Sequence, residues 1–307
     1  MPRLATSAAL AALLAISAPA VSSAAQPAQV AAQVAPVEAP ARFKIGALDA
    51  VALLDGTMTV PNNGKIFGVG RPTSDVAATL QAAGLQADQL HLSLQPLLVR
   101  SGDRTLLFDA GMGEGVTPTT GRLQSALSAA GASAGQVTDI FISHAHGDHV
   151  GGLLTPAGAL AFPNAAIRMS APEWAALQAD ARQARLVTAI TPKVATFAPG
   201  AVVLPGLVTA VPVTGHTPGH SAYEIASGAE RLLYIGDSAH HHVISVRQPN
   251  WTIQFDRDAP TAEASRRALL QRAADQNLRL YAIHFPYPGV GRVKPQGDGF
   301  VWVSEGR

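Results

Sequence analysis

The sequence predicts an α+β protein in which two β-sheets pack face to face with helices on the outside. Three observations lead there: short apolar runs of strand character dominate each half of the chain, helical stretches separate them, and turn residues punctuate the runs. The chain has 307 residues, 48% of them apolar, enough to bury one large core or two fused halves.

From Phe43, "FKIGALDAVALLDG" and then "LHLSLQPLLVRSGDRTLLFDAGMG" read as strands joined by hairpins, with Ser101-Gly102-Asp103 as one turn. Residues 121–131, "GRLQSALSAAG", are predicted as a helix ending at Gly131, and "VTDIFIS" follows as a strand. "AAIRMS" is another strand, and a helix starts near Ser170-Ala171-Pro172-Glu173 with Pro inside its first turn. A second strand series comprises "LVTAVPV", "SAYEIAS" and "RLLYIGD". "APTAEASRRALLQRAADQN" is the clearest amphipathic helix, and "LRLYAIHF" follows it as a strand. No fixed-period repeat or second boundary interrupts residues 43–307, which are expected to form one catalytic domain.

Arg3, an apolar stretch to Ile16 and the small residues Ser22, Ser23, Ala24 and Ala25 follow the order of a secretory signal peptide over residues 1–25, cut after Ala24 or Ala25. A periplasmic or secreted protein is expected, with no membrane anchor after cleavage, because the apolar core is shorter than the ~20 residues of a spanning helix. Residues 26–42, rich in Ala, Pro and Gln, read as a flexible lead-in.

Lys plus Arg number 22 against 21 Asp plus Glu, a net charge of +1, and no basic run is present to track a phosphate backbone. This speaks against a nucleic-acid partner and for a small-molecule substrate; a homodimer is left open. The chain has no Cys, so it has neither disulfides nor thiolate ligands. It also lacks the Gly-x-Ser-x-Gly elbow of many serine hydrolases.

The chemistry concentrates in "FISHAHGDHVGG", residues 141–152, where His144, His146, Asp148 and His149 fall within six positions. On an extended chain His144, His146 and Asp148 project to one side, Gly147 lets the chain turn, and His149 leaves in another direction. Imidazole and carboxylate donors suit zinc and its first-row neighbours. One cluster divided between two ions would give each too few ligands. His220 in "TGHTPGH", Asp237 ending "LLYIGD" and His284 ending "LYAIH" have the right character, each where a strand runs out into a loop.

The ordered set His-x-His-x-Asp-His-x-Gly-Gly, Gly-His-Thr-Pro-Gly-His, Gly-Asp and a late His resembles the metallo-β-lactamase superfamily over residues 43–303. The resemblance implies a four-layer αβ/βα sandwich holding two divalent metal ions per chain, zinc foremost, with manganese, cobalt and iron also suited to the donors. It implies that His144, His146 and His220 bind the first ion, Asp148, His149 and His284 the second, and that Asp237 bridges them. Asp148, Asp237 and His284 together argue against the mononuclear persulfide dioxygenases. The segments "LAFPNAAIR", "TIQFDRD" and "HFPYPGVG" look most like the methyl parathion hydrolase group of exported dinuclear hydrolases. Lactonases of the superfamily typically carry Tyr three residues after the bridging Asp, where this chain has His240.

The implied activity is hydrolysis of an ester-type bond, in an organophosphate triester, aryl ester or lactone, by hydroxide held between metals about 3.5–4 Å apart. N-acyl homoserine lactones and β-lactams are the alternative substrates. A metal-bearing binding protein without useful turnover is the reading from a different class. Asp148, Asp237 and His240 are the catalytic candidates, His240 by facing the substrate. Trp174, Trp251, Phe255, Phe67 and Phe285 lie near the motifs in sequence as candidate pocket walls or core residues, and Trp174 and Trp251 are preferred. His216 is expected to support the site and Asp109 to orient the ligand loop, whereas His241 and His242 read as a solvated loop and His91 as no ligand.

Overall fold

The computed structural model describes Met1 and residues 39–305. The expected signal peptide and most of the lead-in therefore lie outside the described residues. The end of that lead-in is already structured, because Ala41 and Arg42 open the first strand.

The first sheet contains β1 (Ala41–Ile45), β2 (Leu48–Ala52), β5 (Leu97–Ser101), β6 (Arg104–Phe108), β7 (Asp139–Phe141), β8 (Ala166–Ser170) and β9 (Val194–Phe197), in that spatial order. A separate hairpin pairs β3 (Gly56–Pro61) with β4 (Gln89–Leu94). The second sheet runs in order through β10 (Val202–Leu204), β11 (Val208–Pro212), β12 (Ser221–Ser227), β13 (Glu230–Tyr234), β14 (Arg279–Tyr281), β15 (Val290–Gln296) and β16 (Gly299–Ser304). Most neighbours are antiparallel. Strands β6, β7, β8 and β9 pair in parallel, as do β13 and β14.

Strand alternation decides the layers. Leu106 and Phe108 of β6 face Tyr234 of β13 and Tyr281 of β14 in the core between the sheets, where Phe108 and Phe141 stack at 4.9 Å. Leu107, one residue out of phase, joins the core under α2 (Leu123–Ala129), α4 (Ala171–Ala179) and α5 (Ala184–Ile190). Across the molecule, Leu233 and Ile235 turn away from Tyr234 to pack with Leu269, Leu270 and Ala273 of α7 (Ala259–Asp275). Helix, sheet, sheet and helix thus form the sandwich expected from the sequence.

Helix starts follow local chemistry. Ser170 accepts from the Glu173 amide at the start of α4, and Asp258 accepts from Thr261 at the start of α7. Sequence reading missed α1 (Thr73–Gln81) and strand β3. The strand β3 is short, begins at Gly56 and ends at Pro61, and its partner lies some thirty residues later. Val76 and Leu80 of α1 pack with Leu90 and Leu92 of β4 and with Phe67 and Trp251, fastening the hairpin to the sandwich.

Candidate metal centre

The parallel strands of both sheets release the functional residues at their C-terminal ends. Asp109 follows β6, and Ser143 and His144 follow β7; Asp237 follows β13, and His284 follows β14. Loops leaving that edge converge, the position from which open parallel arrangements present ligand sites.

The "FISHAHGDHVGG" motif is extended only as far as His146, with φ −71° and ψ 156°; from there α3 (Gly147–Val150) makes a helical turn. The turn, and not strand alternation, divides the motif. His144 and His146 serve one cluster, whereas Asp148 and His149 swing to the other. The Gly-Gly end is steric. A Cβ on Gly152 would fall 1.9 Å from the Ala110 carbonyl oxygen, so only glycine lets the turn after α3 sit against residues 110–112.

In the first cluster, His144 Nε2 and His146 Nδ1 are 3.0 Å apart, and His216 Nε2 lies 3.1 and 3.0 Å from them. His216, not His220, completes this group, contrary to the expectation from the motif. Both nitrogens of His220 are already committed: Nδ1 donates to the Val213 carbonyl at 3.0 Å, and Nε2 accepts the Asp237 amide at 3.0 Å. His220 therefore steadies the Asp237 loop and has no lone pair to offer. Its sequence neighbour four positions earlier sits at the loop tip, and the motif alone cannot show which ring turns inward.

The second cluster joins Asp148, His149, Asp237 and His284. His149 Nε2 lies 3.2 Å from Asp237 Oδ1 and 3.5 Å from Asp148 Oδ2, and His284 Nε2 lies 3.0 and 3.4 Å from the same oxygens. Asp237 thus faces both groups, its Oδ2 lying 3.7 Å from His144 and 3.5 Å from His216.

The tautomers make this arrangement a test of metal fit. Asp109 accepts the His149 Nδ1 proton at 2.7 Å, Ser93 that of His284 at 2.8 Å, and Asp256 that of His216 at 2.9 Å. Each ring then turns a bare Nε2 lone pair into the centre, toward carboxylate oxygens or other lone pairs. Among the described residues His149 Nε2 and Asp237 Oδ1 have no hydrogen-bond partner and are buried, an arrangement that calls for a cation. Burial holds His144 well below its ordinary pKa and lowers His216 to about 4, keeping these rings neutral. Burial also opposes charge on His149 and His284, yet Asp237, with Asp148 behind it, raises both. The local field is one that attracts positive charge.

Asp109 orients the ligand loop as expected. Fully buried and with φ +59°, it accepts from Ser143 N, Ser143 Oγ, His149 Nδ1 and Tyr234 Oη, each at 2.7 Å. Glu173, which sequence reading did not single out, does comparable work. Its carboxylate accepts from Ala145 N, Thr217 Oγ1 and Gly219 N at 2.8, 2.7 and 2.9 Å, clamping the two His loops together. The Ser170-x-x-Glu173 spacing marks it only as a helix-start residue.

A cavity of about 610 Å³ opens onto Asp148, Asp237, His240 and His284. Buried His240 lies with Nε2 3.1 Å from Asp237 Oδ2 but off the hydrogen-bonding direction, so both of its nitrogens lack partners among the described residues. Its ring is parallel to that of His284 at 5.9 Å. The apolar wall consists of Met58, Val60, Leu92, Met112 and Phe255. The preferred tryptophans are not in it. Trp174 packs against the core under α4, and Trp251 is buried beneath the hairpin with the Arg71 guanidinium 4.9 Å over its ring. Phe67 and Phe285 are likewise core residues. Nearness to a motif in sequence says nothing of side-chain direction. His241 is no solvated residue either: it is buried, and its Nδ1 accepts from Val243 and Ile244 at the start of α6 (Ile244–Arg247).

The family model described as the metallo-beta-lactamase superfamily matches residues 96–284, which span every residue of both clusters. The chain belongs to the metallo-β-lactamase superfamily. This superfamily member is 30% identical to AidC, described as a dizinc quorum-quenching lactonase, with 88% of this chain and 99% of that one covered and a TM-score of 0.84. The hydrolase AbOPH, described as in the beta lactamase superfamily, is 26% identical over 88% of this chain and 98% of its own, with a TM-score of 0.78. A probable metal-dependent hydrolase from Staphylococcus aureus, 19% identical over 86% and 99%, shares the fold with a TM-score of 0.73. No curated protein matches the chain. With both donor clusters in place, this superfamily member is a dinuclear metallo-hydrolase.

Proposed function

We propose that the chain hydrolyses an uncharged ester-type bond carrying an apolar group, with lactones as the first substrate class. The cavity carries this reading: no Lys or Arg is among its described lining residues, and its wall opposite the metal centre is apolar. An anionic substituent would find no cationic partner on that wall, whereas an acyl or aryl group would be desolvated there. The likeness to AidC supports a lactone ahead of the aryl esters and organophosphate triesters that make the same demands.

Zinc is the metal proposed for both positions, since imidazole and carboxylate donors suit it and AidC is described as dizinc. When bound, the pair supplies a Lewis acid for the substrate oxygen and the means to ionise a water at neutral pH. His144, His146 and His216 would hold one ion, Asp148, His149 and His284 the other, with Asp237 between them. Asp148 has the most exposed side chain of the four carboxylate and imidazole groups in its cluster and faces the cavity, placed to carry a proton toward the leaving oxygen. His240 supplies an N–H for the substrate oxygen, and the apolar wall keeps bulk water from the rest of the acyl group.

A panel of lactones, aryl esters, phosphotriesters and β-lactams, assayed with zinc-loaded and chelator-treated protein, tests this. Metal-dependent turnover is expected with lactones foremost. Turnover confined to β-lactams would overturn the substrate class, and none at all would favour a metal-bearing binding protein. The leader is proposed to direct export; the protein recovered outside the cytoplasm should then begin at Ala25 or Gln26.

A further inference from the structure

Arg266 interrupts the pattern of α7. It occupies the buried face with Ala262, Leu269, Leu270 and Ala273, where the helical period demands an apolar side chain, and is only 1% exposed. A buried guanidinium must find acceptors for its donors, and four hydrogen bonds hold this one. Its Nε donates to the Ser238 carbonyl at 2.9 Å, one terminal nitrogen to the carbonyls of Pro249 and Trp251 at 2.9 and 3.2 Å, and the other to Asp256 Oδ2 at 2.6 Å.

Each of these acceptors leads to the metal centre or its cavity. Ser238 follows Asp237, which faces both clusters. Asp256 presents its other oxygen to His216 Nδ1 at 2.9 Å. The segment running from Pro249 to Asp256 carries Phe255 of the substrate wall. The backbone reinforces the link: Arg257 N donates to the His216 carbonyl and Asp258 N to that of Gly215. At Gly215, with φ +114°, a Cβ would fall 2.1 Å from Ala262 N, so the His216 loop lies directly against the first turn of α7.

We propose that Arg266 is a positioning residue for the metal centre, setting His216 through Asp256 and the Asp237 loop through the Ser238 carbonyl. The inference rests on the metal-pair reading and extends it to a residue that touches neither ion nor substrate. The planar fork is essential to it, because one ammonium cannot satisfy three carbonyls and a carboxylate spread over two segments. Removing a partner of this kind typically costs about 10–100-fold in metal affinity.

The test is competition of the metal-free full chain with a chromophoric chelator for zinc, together with the visible absorption of the cobalt-loaded protein. In Arg266→Met and Arg266→Lys, one of two binding steps should weaken about 10–100-fold and the cobalt spectrum should change. Asp256→Asn should weaken the same step without touching the core of α7, and Arg266→Lys decides the matter if Arg266→Met fails to fold. Two parent-like binding steps and a parent-like cobalt spectrum in Asp256→Asn would overturn the proposal, as would full recovery of both in Arg266→Lys. A parent chain that binds fewer than two ions would sink the metal-pair reading itself, and the inference with it.

Discussion

Asp109 behind the metal centre accepts four hydrogen bonds at 2.7 Å, whereas Leu92 in front of it offers the cavity only an apolar surface. The back of the site is a set of oriented donors and acceptors in which His149, His216, His220 and His284 each have one permitted tautomer. The front is a hairpin fastened by apolar packing. Polar partners constrain direction, so residues at the back have few substitutes. Apolar contact constrains little beyond shape, so the front can change its occupant without disturbing the chemistry behind it.

The greatest effect expected is that of Asp237→Ala, which removes the residue common to both clusters. Both ions should be lost on metal analysis and turnover should fall at least ~10³-fold. One tightly bound ion with unchanged activity would break the dinuclear reading. The pair His216→Ala and His220→Ala sharpens the account of the back wall. The first should lose one ion and ~10²-fold or more in activity. The second should keep two ions while losing about 1–3 kcal/mol of stability in chemical denaturation, because a buried amide loses its acceptor. One ion retained in His220→Ala and two in His216→Ala would reverse the assignment.

Asp109→Ala leaves several buried donors unanswered, and about a 10–100-fold weaker hold on the ion served by His149 is expected by chelator competition. The smallest effect belongs to the front. Leu92→Ala should leave metal content unchanged and raise KM for a long-chain lactone about 10-fold while sparing a short-chain one. An equal change for both chain lengths would show that Leu92 acts through the hairpin's position and not as a wall.

The back of the site was the more legible half because its chemistry demands particular residue types at strand ends. His144, His146, Asp148, His149, Asp237 and His284 were each marked by donor type and by position after an apolar run. His216 was not, since two histidines in one loop are equivalent until the loop is folded. Arg266 left a trace that could have been read: a guanidinium at a core position of the helical period in 259–275. The front left almost none. Met58, Val60 and Leu92 look like ordinary strand residues, and only the pairing of β3 with β4 across α1 turns them toward the metal centre.

By itself, then, the sequence determined the layers of the sandwich, through the period of its apolar residues, and the donor chemistry of the centre. Both are properties of residue type and spacing, expressed locally. The tertiary structure decided which ring of "TGHTPGH" faces inward, which aromatic residues line the cavity, and which buried arginine ties α7 to the metal centre. Those depend on side-chain direction and on contacts between segments far apart in the chain, which no local pattern encodes.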